Sequence, residues 1–515
     1  SGYYTPYTAS GGCGTILAAP GIGIIGFHVA GDATTGFCVQ PPKGVREEIV
    51  NLMLDAPCAT NFTLDEQIIP DFSGVRVRYE TPIENEYLTT DTSYTESLLH
   101  VDVCPEMKDL INQLETAPKT YTTVPVEKID KKGPPNFKSA GTGKKTLKAL
   151  SMKSFKRQGR VTQKELDFMK DYLRSILIEF TDLTDHETAF GGDGIQPLNK
   201  DSSNGYGCLK GKDKYFDFVT KVIKPELYEL AKHIESAAAS GTYDYNDFMC
   251  KESFKDEMRA SKKINNPRTF RVMPLGHIWW TKKIFGRLLK HFKDTRHDTG
   301  ISIGYNPYTD ADILAKKLLA CLMTGDGDWK EWDGRTLAMI MRAIFEVLKE
   351  FYRGDYPHII DWLKNTIATS FVKVNDEIWS TTHGLPSGTW LTLLLNCLIN
   401  KCLTALIIFR NKPEPKVEDV HNVVDYVTGD DKVMGAQQDM AEYFNLLTLK
   451  TVSDSLGMEC TNGDKTPITQ KSQSFDKLTY VKRHFRKPPI LKRYVGCLSL
   501  DTIMNTLQWI NTDTI

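Results

Sequence analysis

The sequence predicts an α+β protein built from several subdomains, and three observations carry that prediction. The chain has 515 residues, more than one hydrophobic core usually holds. Some stretches repeat apolar residues at helical spacing. Over 162–179 the stripe is Leu166, Met169, Leu173 and Ile176 or Leu177; over 335–352 it is Leu337, Ile340, Met341, Ile344, Phe345 and Leu348. Other stretches are β-branched and punctuated by glycine. These are residues 1–40 and the run VVDYVTGDDKVMG over 423–435, which reads as strand, turn, strand.

In chain order, residues 1–40 form short strands and 45–55 a helix. The turn-rich stretch 56–105 is a junction, and 125–149, with its Pro, Gly and Lys, is extended or loop. After the 162–179 helix comes a loop over 185–215 and a helix near 217–238. A helix from 311 leads to an acidic turn at 328–333 and then to the 335–352 helix. A Gly/Pro loop at 384 enters the most apolar run, 391–409. That run contains Asn396, Asn400 and Lys401, which are costly in lipid, so a buried helix is expected rather than a membrane span. The hairpin at 421–436 precedes a helix at 437–457.

The net charge of −1 announces no polyanion partner. The charge is uneven, however: eleven Lys/Arg against two acids between 127 and 160, a solvated loop or a polyanion contact. Eleven dispersed Cys without a CxxC pair argue for a reducing compartment and against disulfides or a zinc site. The N-terminus has no signal-peptide pattern.

Two adjacent acids, Asp430 and Asp431, sit at a glycine turn between apolar arms. Like charges there repel unless a cation neutralises them. Upstream, Asp328 and Asp333 bracket four residues at the acidic turn; Asp328 is placed to close a strand and Asp333 to open a helix. Asp328, Asp430 and Asp431 together supply the hard oxygen ligands that two Mg²⁺ ions require, the arrangement that suits in-line phosphoryl displacement. Between them, Ser387, Thr392 and Asn396 fit Ser-Gly-x3-Thr-x3-Asn, with Thr392 and Asn396 on one helix face.

These three elements, in this order, resemble the RNA-dependent RNA polymerases of picorna-like positive-strand RNA viruses. The resemblance implies a right-hand fold of fingers, a palm with an antiparallel sheet, and a helical thumb. It implies nucleotidyl transfer from NTP to a primer 3′-OH on an RNA template, with two Mg²⁺ ions (Mn²⁺ able to substitute) held by Asp328, Asp430 and Asp431. Asp333 and Asn396 would sense the ribose 2′-OH, which a site can use to tell RNA from DNA, with Ser387 and Thr392 supporting that network. Lys255, Arg259, Lys263 and either Arg268 or Arg271 resemble the basic fingers element that holds triphosphate. Ser202, Ser203, Gly205 and Tyr206 resemble the template loop, with Gly207 where Pro is usual. Lys465 resembles the residue proposed to protonate pyrophosphate. Lys482 and Arg483 lie in an element similar to the primer grip. Thr428 stands where the family usually has Tyr before GDD, and altered packing near the primer end is expected from it. The implied partners are RNA template and primer, NTPs, a small protein primer and other viral replication proteins, with no DNA. The implied location is host cytoplasm, at membrane-associated replication complexes.

The first forty residues resemble a different family, the C-terminal barrel of the viral 3C-like cysteine protease. Cys13, in Gly-Gly-Cys-Gly, matches the nucleophile, and His28, in Gly-Phe-His, the pocket-shaping His. With twelve residues before Cys13, no complete triad is expected in the chain and no protease activity from it alone. The implied layout is protease fragment 1–55, junction 56–105, fingers 106–310, palm 311–470 with a fingers insertion near 352–385, and a shortened thumb from 471 to 515. A helix over 498–509 is expected to begin that thumb. The chain thus reads as a fragment of a protease–polymerase polyprotein. Two rivals remain: a reverse transcriptase, and a non-catalytic RNA-binding scaffold derived from a polymerase.

Overall fold

A computed structural model describes residues 159–254, 268–374, 377–381, 383–499 and 502, and the backbones of the strands at 2–4, 16–19, 23–31, 36–39, 101–103 and 509–511. The chain divides into two units, 1–74 and 75–515. In the first, strands β1 (Gly2–Tyr4), β2 (Ile16–Ala19), β3 (Gly23–Gly31) and β4 (Gly36–Val39) form one antiparallel sheet, order β1-β4-β3-β2. The expected strands are therefore present. Cys13 and the 45–55 helix lie outside the described residues, as does the side chain of His28 on β3.

The second unit opens with β5 (Val101–Val103). Helix α1 (Gln163–Ile176) starts at Thr162, where a reciprocal capping box with Glu165 satisfies the free N–H groups. Helix α2 (Pro225–Ser240) begins later than its sequence suggests, because Pro225 suits a first helical turn but no helix interior. Next come β6 (Cys250–Phe254), β7 (Thr269–Val272) and the long buried helix α3 (Leu275–Asp294).

The centre is built from α4 (Asp310–Leu319), β8 (Met323–Trp329), α5 (Ala338–Phe351), α6 (Pro357–Ala368), β9 (Phe371–Val374), β10 (Glu377–Ser380) and α7 (Thr392–Asn411). The acidic hairpin follows as β11 (Val423–Thr428) and β12 (Asp431–Ala436), then α8 (Leu446–Ser455) and β13 (Cys460–Thr461). The expected 437–457 helix is confined to α8. Last come β14 (Thr479–Tyr480), β15 (Arg483–Arg486), β16 (Val495–Cys497) and β17 (Trp509–Asn511). Trp509, expected to end a helix, instead begins a strand paired with β5; the rest of that expected helix is largely outside the described residues.

Two sheets position the site. One is antiparallel, order β11-β12-β8-β13. The other, order β10-β9-β6-β7, joins the 371–380 hairpin to β6 and β7. On one face of the first sheet, Leu314 and Leu318 of α4 pack with Tyr426, Val433, Tyr480 and Phe485 in a buried cluster. On the other runs α7, against β11, α1, α5 and α8. Among the described residues α7 is long and apolar enough to cross a membrane, yet it is 83% buried inside the protein. Asn396, Asn400, Lys401 and Thr404 each make hydrogen bonds there, with the Asn396 side-chain carbonyl oxygen left over.

Candidate active site

Strand register brings the three acids together. Gly327 pairs with Lys432 and Thr428 with Asp431. Asp328 near the end of β8 therefore meets Asp431 at the start of β12, with Asp430 on the turn. Gly429 takes φ +66° as first central residue, the position a type II′ hairpin turn gives to glycine. Helix α7 grips this turn: Gly429 N–H donates to Cys397 Sγ (3.1 Å) and Asn400 Nδ2 donates to the Gly429 carbonyl (3.3 Å).

The charges repel. Desolvation pushes the Asp431 carboxyl up to about 6, and the charges of Asp430 and Asp328 add to the rise. Asp430 reaches solvent, yet the protein crowding its carboxylate raises it too, and Asp328 adds to this. Lys465 and Lys482 oppose both shifts. The donor set therefore fits divalent cations: three hard, mutually repelling carboxylates with too little positive charge around them.

Lys465 Nζ contacts Asp328 Oδ2 directly. Its loop is held by buried Asp326, which accepts from Gly463 N (2.9 Å), Thr479 N (2.7 Å) and Thr479 Oγ1 (2.8 Å). Lys482 sits with Val481 in the two-residue turn between β14 and β15. Both have positive φ (58° and 50°), the type I′ pattern, which is uncommon for a β-branched residue. Arg483 goes elsewhere: its guanidinium lies 5.9 Å from the Tyr308 ring centroid and donates to the Gly496 carbonyl (3.5 Å). The structure thus separates the two basic residues that the sequence paired. Thr428 bonds through Oγ1 to the hydroxyl of buried Tyr480 (2.7 Å) and to the Ser302 carbonyl (3.2 Å). A tyrosine hydroxyl therefore still lies beside the acidic turn, brought there from β14.

Asn396 Nδ2 donates to Asp333 Oδ1 at 3.0 Å, uniting two residues 63 apart in sequence. The Asn396 Oδ1 atom is buried and accepts no hydrogen bond. Asp333 does not open the long helix; it lies on a one-turn helix, Trp332–Arg335, before α5. The Gly/Pro loop is stapled there by Leu385 N to the Asp333 carbonyl (2.6 Å) and Gly384 N to the Thr336 carbonyl (2.9 Å). Thr392 commits its hydroxyl to the carbonyls of Thr389 (2.6 Å) and Ser387 (3.1 Å), so it fastens the loop. A Cβ on Gly388 would fall 1.8 Å from the Arg271 carbonyl oxygen, so only glycine lets this loop lie against β7.

Arg271 is buried, and its Nε donates to Glu252 Oε2 (3.2 Å) across β6 and β7; Arg268 is exposed. Lys255, Arg259 and Lys263 lie outside the described residues, as does most of the basic 127–160 stretch. In the Ser202–Tyr206 region, buried Lys212 donates to Ser202 O and Oγ (both 2.8 Å), Ser203 O (3.3 Å) and Asn204 Oδ1 (3.2 Å). Ser203 Oγ accepts from Gly205 N (3.1 Å), and the Tyr206 ring carries Lys373 Nζ at 5.3 Å. Gly207 has φ +73°, a conformation closed to proline.

Sequence reasoning missed Glu252, Asp326, Lys212 and Tyr480. It also missed a buried cluster directly behind the acidic turn. Lys432 Nζ bonds Asp425 Oδ1, Thr404 Oγ1 (2.7 Å) and Asn400 Oδ1 (3.3 Å), and Lys401 Nζ bonds the Asp425 carbonyl. The available signal was charge inside an apolar strand: Asp425 in VVDYV and Lys432 in DKVM.

Comparison with known proteins agrees with this geometry. The family model for viral RNA-dependent RNA polymerase matches residues 144–515. The replicase polyprotein of Drosophila C virus (strain EB) is 27% identical over 323 residues, covering 58% of this chain and 18% of that protein. The replicase polyprotein of acute bee paralysis virus (strain Rothamsted) is 23% identical, covering 98% of this chain and 28% of that protein. The chain thus spans less than a third of the length of these relatives. A solved Sicinivirus 3Dpol RNA-dependent RNA polymerase superposes with TM-score 0.62 at 18% identity, covering 72% of this chain and 78% of that one. The fold is the right-hand polymerase fold, and the chain belongs to the viral RNA-dependent RNA polymerase family.

Proposed function

We propose that this chain catalyses RNA-directed RNA synthesis, joining an NTP to a primer 3′-OH with release of pyrophosphate. The observation that carries this reading is the 3.0 Å Asn396–Asp333 bond beside the carboxylate trio. It leaves a buried acceptor, Asn396 Oδ1, waiting for a donor. A ribose 2′-OH is such a donor, and a deoxyribose lacks that hydroxyl.

Asp328 and Asp430 hold two divalent ions, Mg²⁺ or its substitute Mn²⁺, with Asp431 assisting. When bound, such ions stabilise the attacking and leaving oxygens of an in-line displacement. The protein does the rest. Glu252 orients Arg271 for the triphosphate, which favours Arg271 over exposed Arg268 as the main contact, with Lys255, Arg259 and Lys263 beside it. Lys465, one contact from Asp328, lies within reach to give a proton to the pyrophosphate leaving group. Lys482 faces the primer phosphates near the acids. The Ser202–Tyr206 loop, braced by Lys212, borders the template. Ser387 and Thr392 set the loop that carries the ribose sensor. A small protein primer, other replication proteins and membrane-associated replication complexes follow from the family alone.

A primer-extension assay on an RNA template tests the reading. Preferential NTP incorporation, lost in Asp430→Ala, is expected. Preferential dNTP use would make the chain a reverse transcriptase, and undiminished incorporation by Asp430→Ala would remove these acids from the chemistry.

A further inference from the structure

We propose that His233, Asp244 and Asp247 form a second metal site, for one divalent transition-metal ion of the zinc class, on elements apart from the acidic hairpin. His233 lies on α2. The chain leaves that helix at Gly241 in the left-handed conformation and returns through Asp244, which caps the short helix Tyr245–Phe248. Asp244 Oδ1 accepts from Asn246 N (2.9 Å) and Asn246 Nδ2 (3.0 Å). That leaves Oδ2 facing His233 Nε2 at 3.8 Å. Asp247, 3% exposed, places Oδ2 3.2 Å from the same nitrogen. One ligand atom from each residue lies within 4.8 Å of the others.

The independent sign of a ligand is Asp247. Its Oδ2 is buried, and although His233 Nε2 lies 3.2 Å away the pair is not aligned as a geometric hydrogen bond. A carboxylate oxygen removed from water without a donor is costly, and native proteins rarely leave one so. A divalent ion would match the charge of two carboxylates and a neutral imidazole. Bonds of about 2.0–2.1 Å in tetrahedral geometry set ligands about 3.4 Å apart, and the observed 3.2 and 3.8 Å bracket that spacing. The imidazole ligand favours zinc and its later first-row neighbours over magnesium, calcium or manganese. His233 and Asp244 are half exposed, which leaves an open side for a water ligand. The sequence argument against zinc rested on cysteine spacing, and this site uses no cysteine. Filled, it would tie α2 to the turn leading into β6, the strand whose Glu252 holds Arg271.

The test is a titration of the full chain with Co²⁺ and Zn²⁺ in excess Mg²⁺, which keeps the acidic hairpin saturated. The wild type is expected to bind one equivalent more Co²⁺ than His233→Ala or Asp244→Asn. That equivalent should give visible d–d bands without thiolate charge transfer, and Zn²⁺ should raise the Tm of the wild type alone. Both substituted side chains are exposed enough to change without unfolding the chain. Equal stoichiometry in wild type and variants, a thiolate spectrum, or a Zn²⁺ shift that survives in both variants would overturn the site. A wild type indifferent to Zn²⁺ would reduce the cluster to a His–Asp ion pair. Primer extension by the variants in Mg²⁺ alone reads the polymerase assignment separately.

Discussion

One hairpin carries two clusters of charge that behave in opposite ways. At its tip, Asp430 and Asp431 face Asp328, and burial with mutual repulsion raises their carboxyls. In the body of the β11–β12 hairpin, burial alone would raise Asp425 as well. There the charges of Lys401 and Lys432, with hydrogen bonds from Lys432 and Thr404, outweigh burial and hold it below its ordinary value. Two lysines against one aspartate leave that cluster with surplus positive charge, and burial draws the Lys432 ammonium down. The aspartate of the inner cluster finds its counter-charge within the protein, and Asn400 links the cluster to the Gly429 carbonyl at the tip. The tip is left for cations from outside. Crowded like charges thus sit where chemistry is proposed, and opposite charges in contact where the turn must be anchored.

Four measurements can break or sharpen this contrast. Asp430→Ala should lower single-nucleotide incorporation at least ~10³-fold, over 4 kcal/mol of transition-state stabilisation, while circular dichroism stays unchanged. A comparable loss of structure would merge the two clusters into one structural unit. Asp425→Ala should do the reverse, strips two buried lysines of their counter-charge, and should cost about 3–5 kcal/mol in denaturant unfolding. Because the folded Asp425 carboxyl lies below its ordinary 3.8, the stability it contributes is present above that pH and fades as pH falls through the lowered value.

Asp431→Asn should stabilise the metal-free protein at pH 7 by up to ~3 kcal/mol. The folded carboxyl lies above its ordinary value of 3.8, at about 6. The folded state therefore binds that proton more tightly, and the ionised group costs stability at neutral pH. The advantage of the variant should shrink as pH falls through about 6 and vanish below about 4, read as Tm against pH in chelator. An advantage independent of pH would deny the repulsion at the tip. The smallest effect is expected for Asn396→Ala, about a tenfold loss of NTP-over-dNTP preference, or ~1.4 kcal/mol, with folding intact. Unchanged preference would remove the Asp333–Asn396 pair from ribose recognition.

Much of this was legible in the linear sequence. Strand–turn–strand at 421–436 follows from alternating apolar arms around Gly429, and the apolar 391–409 run follows from length and composition. Asn396, Asp430 and Asp431 could be picked out because acids and amides within or between apolar segments demand partners, and Asp328 and Asp333 from their spacing in the acidic turn and the family resemblance. The helix starts at Pro225 and Ala338 were misplaced, since periodicity registers neither the short hairpin in which Phe216–Asp217 pairs with Val222–Ile223 nor the one-turn helix Trp332–Arg335. Lys482 and Arg483 were grouped by resemblance to the primer grip; Lys482 lies in the tight turn while Arg483 turns to Tyr308.

By itself the sequence determined which residue types could do the chemistry and in what order: the acids, the Ser-Gly loop, the amide-bearing helix and the family to which these belong. Only tertiary structure decided which of them meet. Asp333 and Asn396 become partners, Glu252 finds Arg271, and Asp425 finds two lysines, through strand register and helix packing across 7 to 63 residues. The physical reason is that local periodicity reports which face of an element is apolar, whereas the partner of a buried charge is set by desolvation and geometry once those faces have closed.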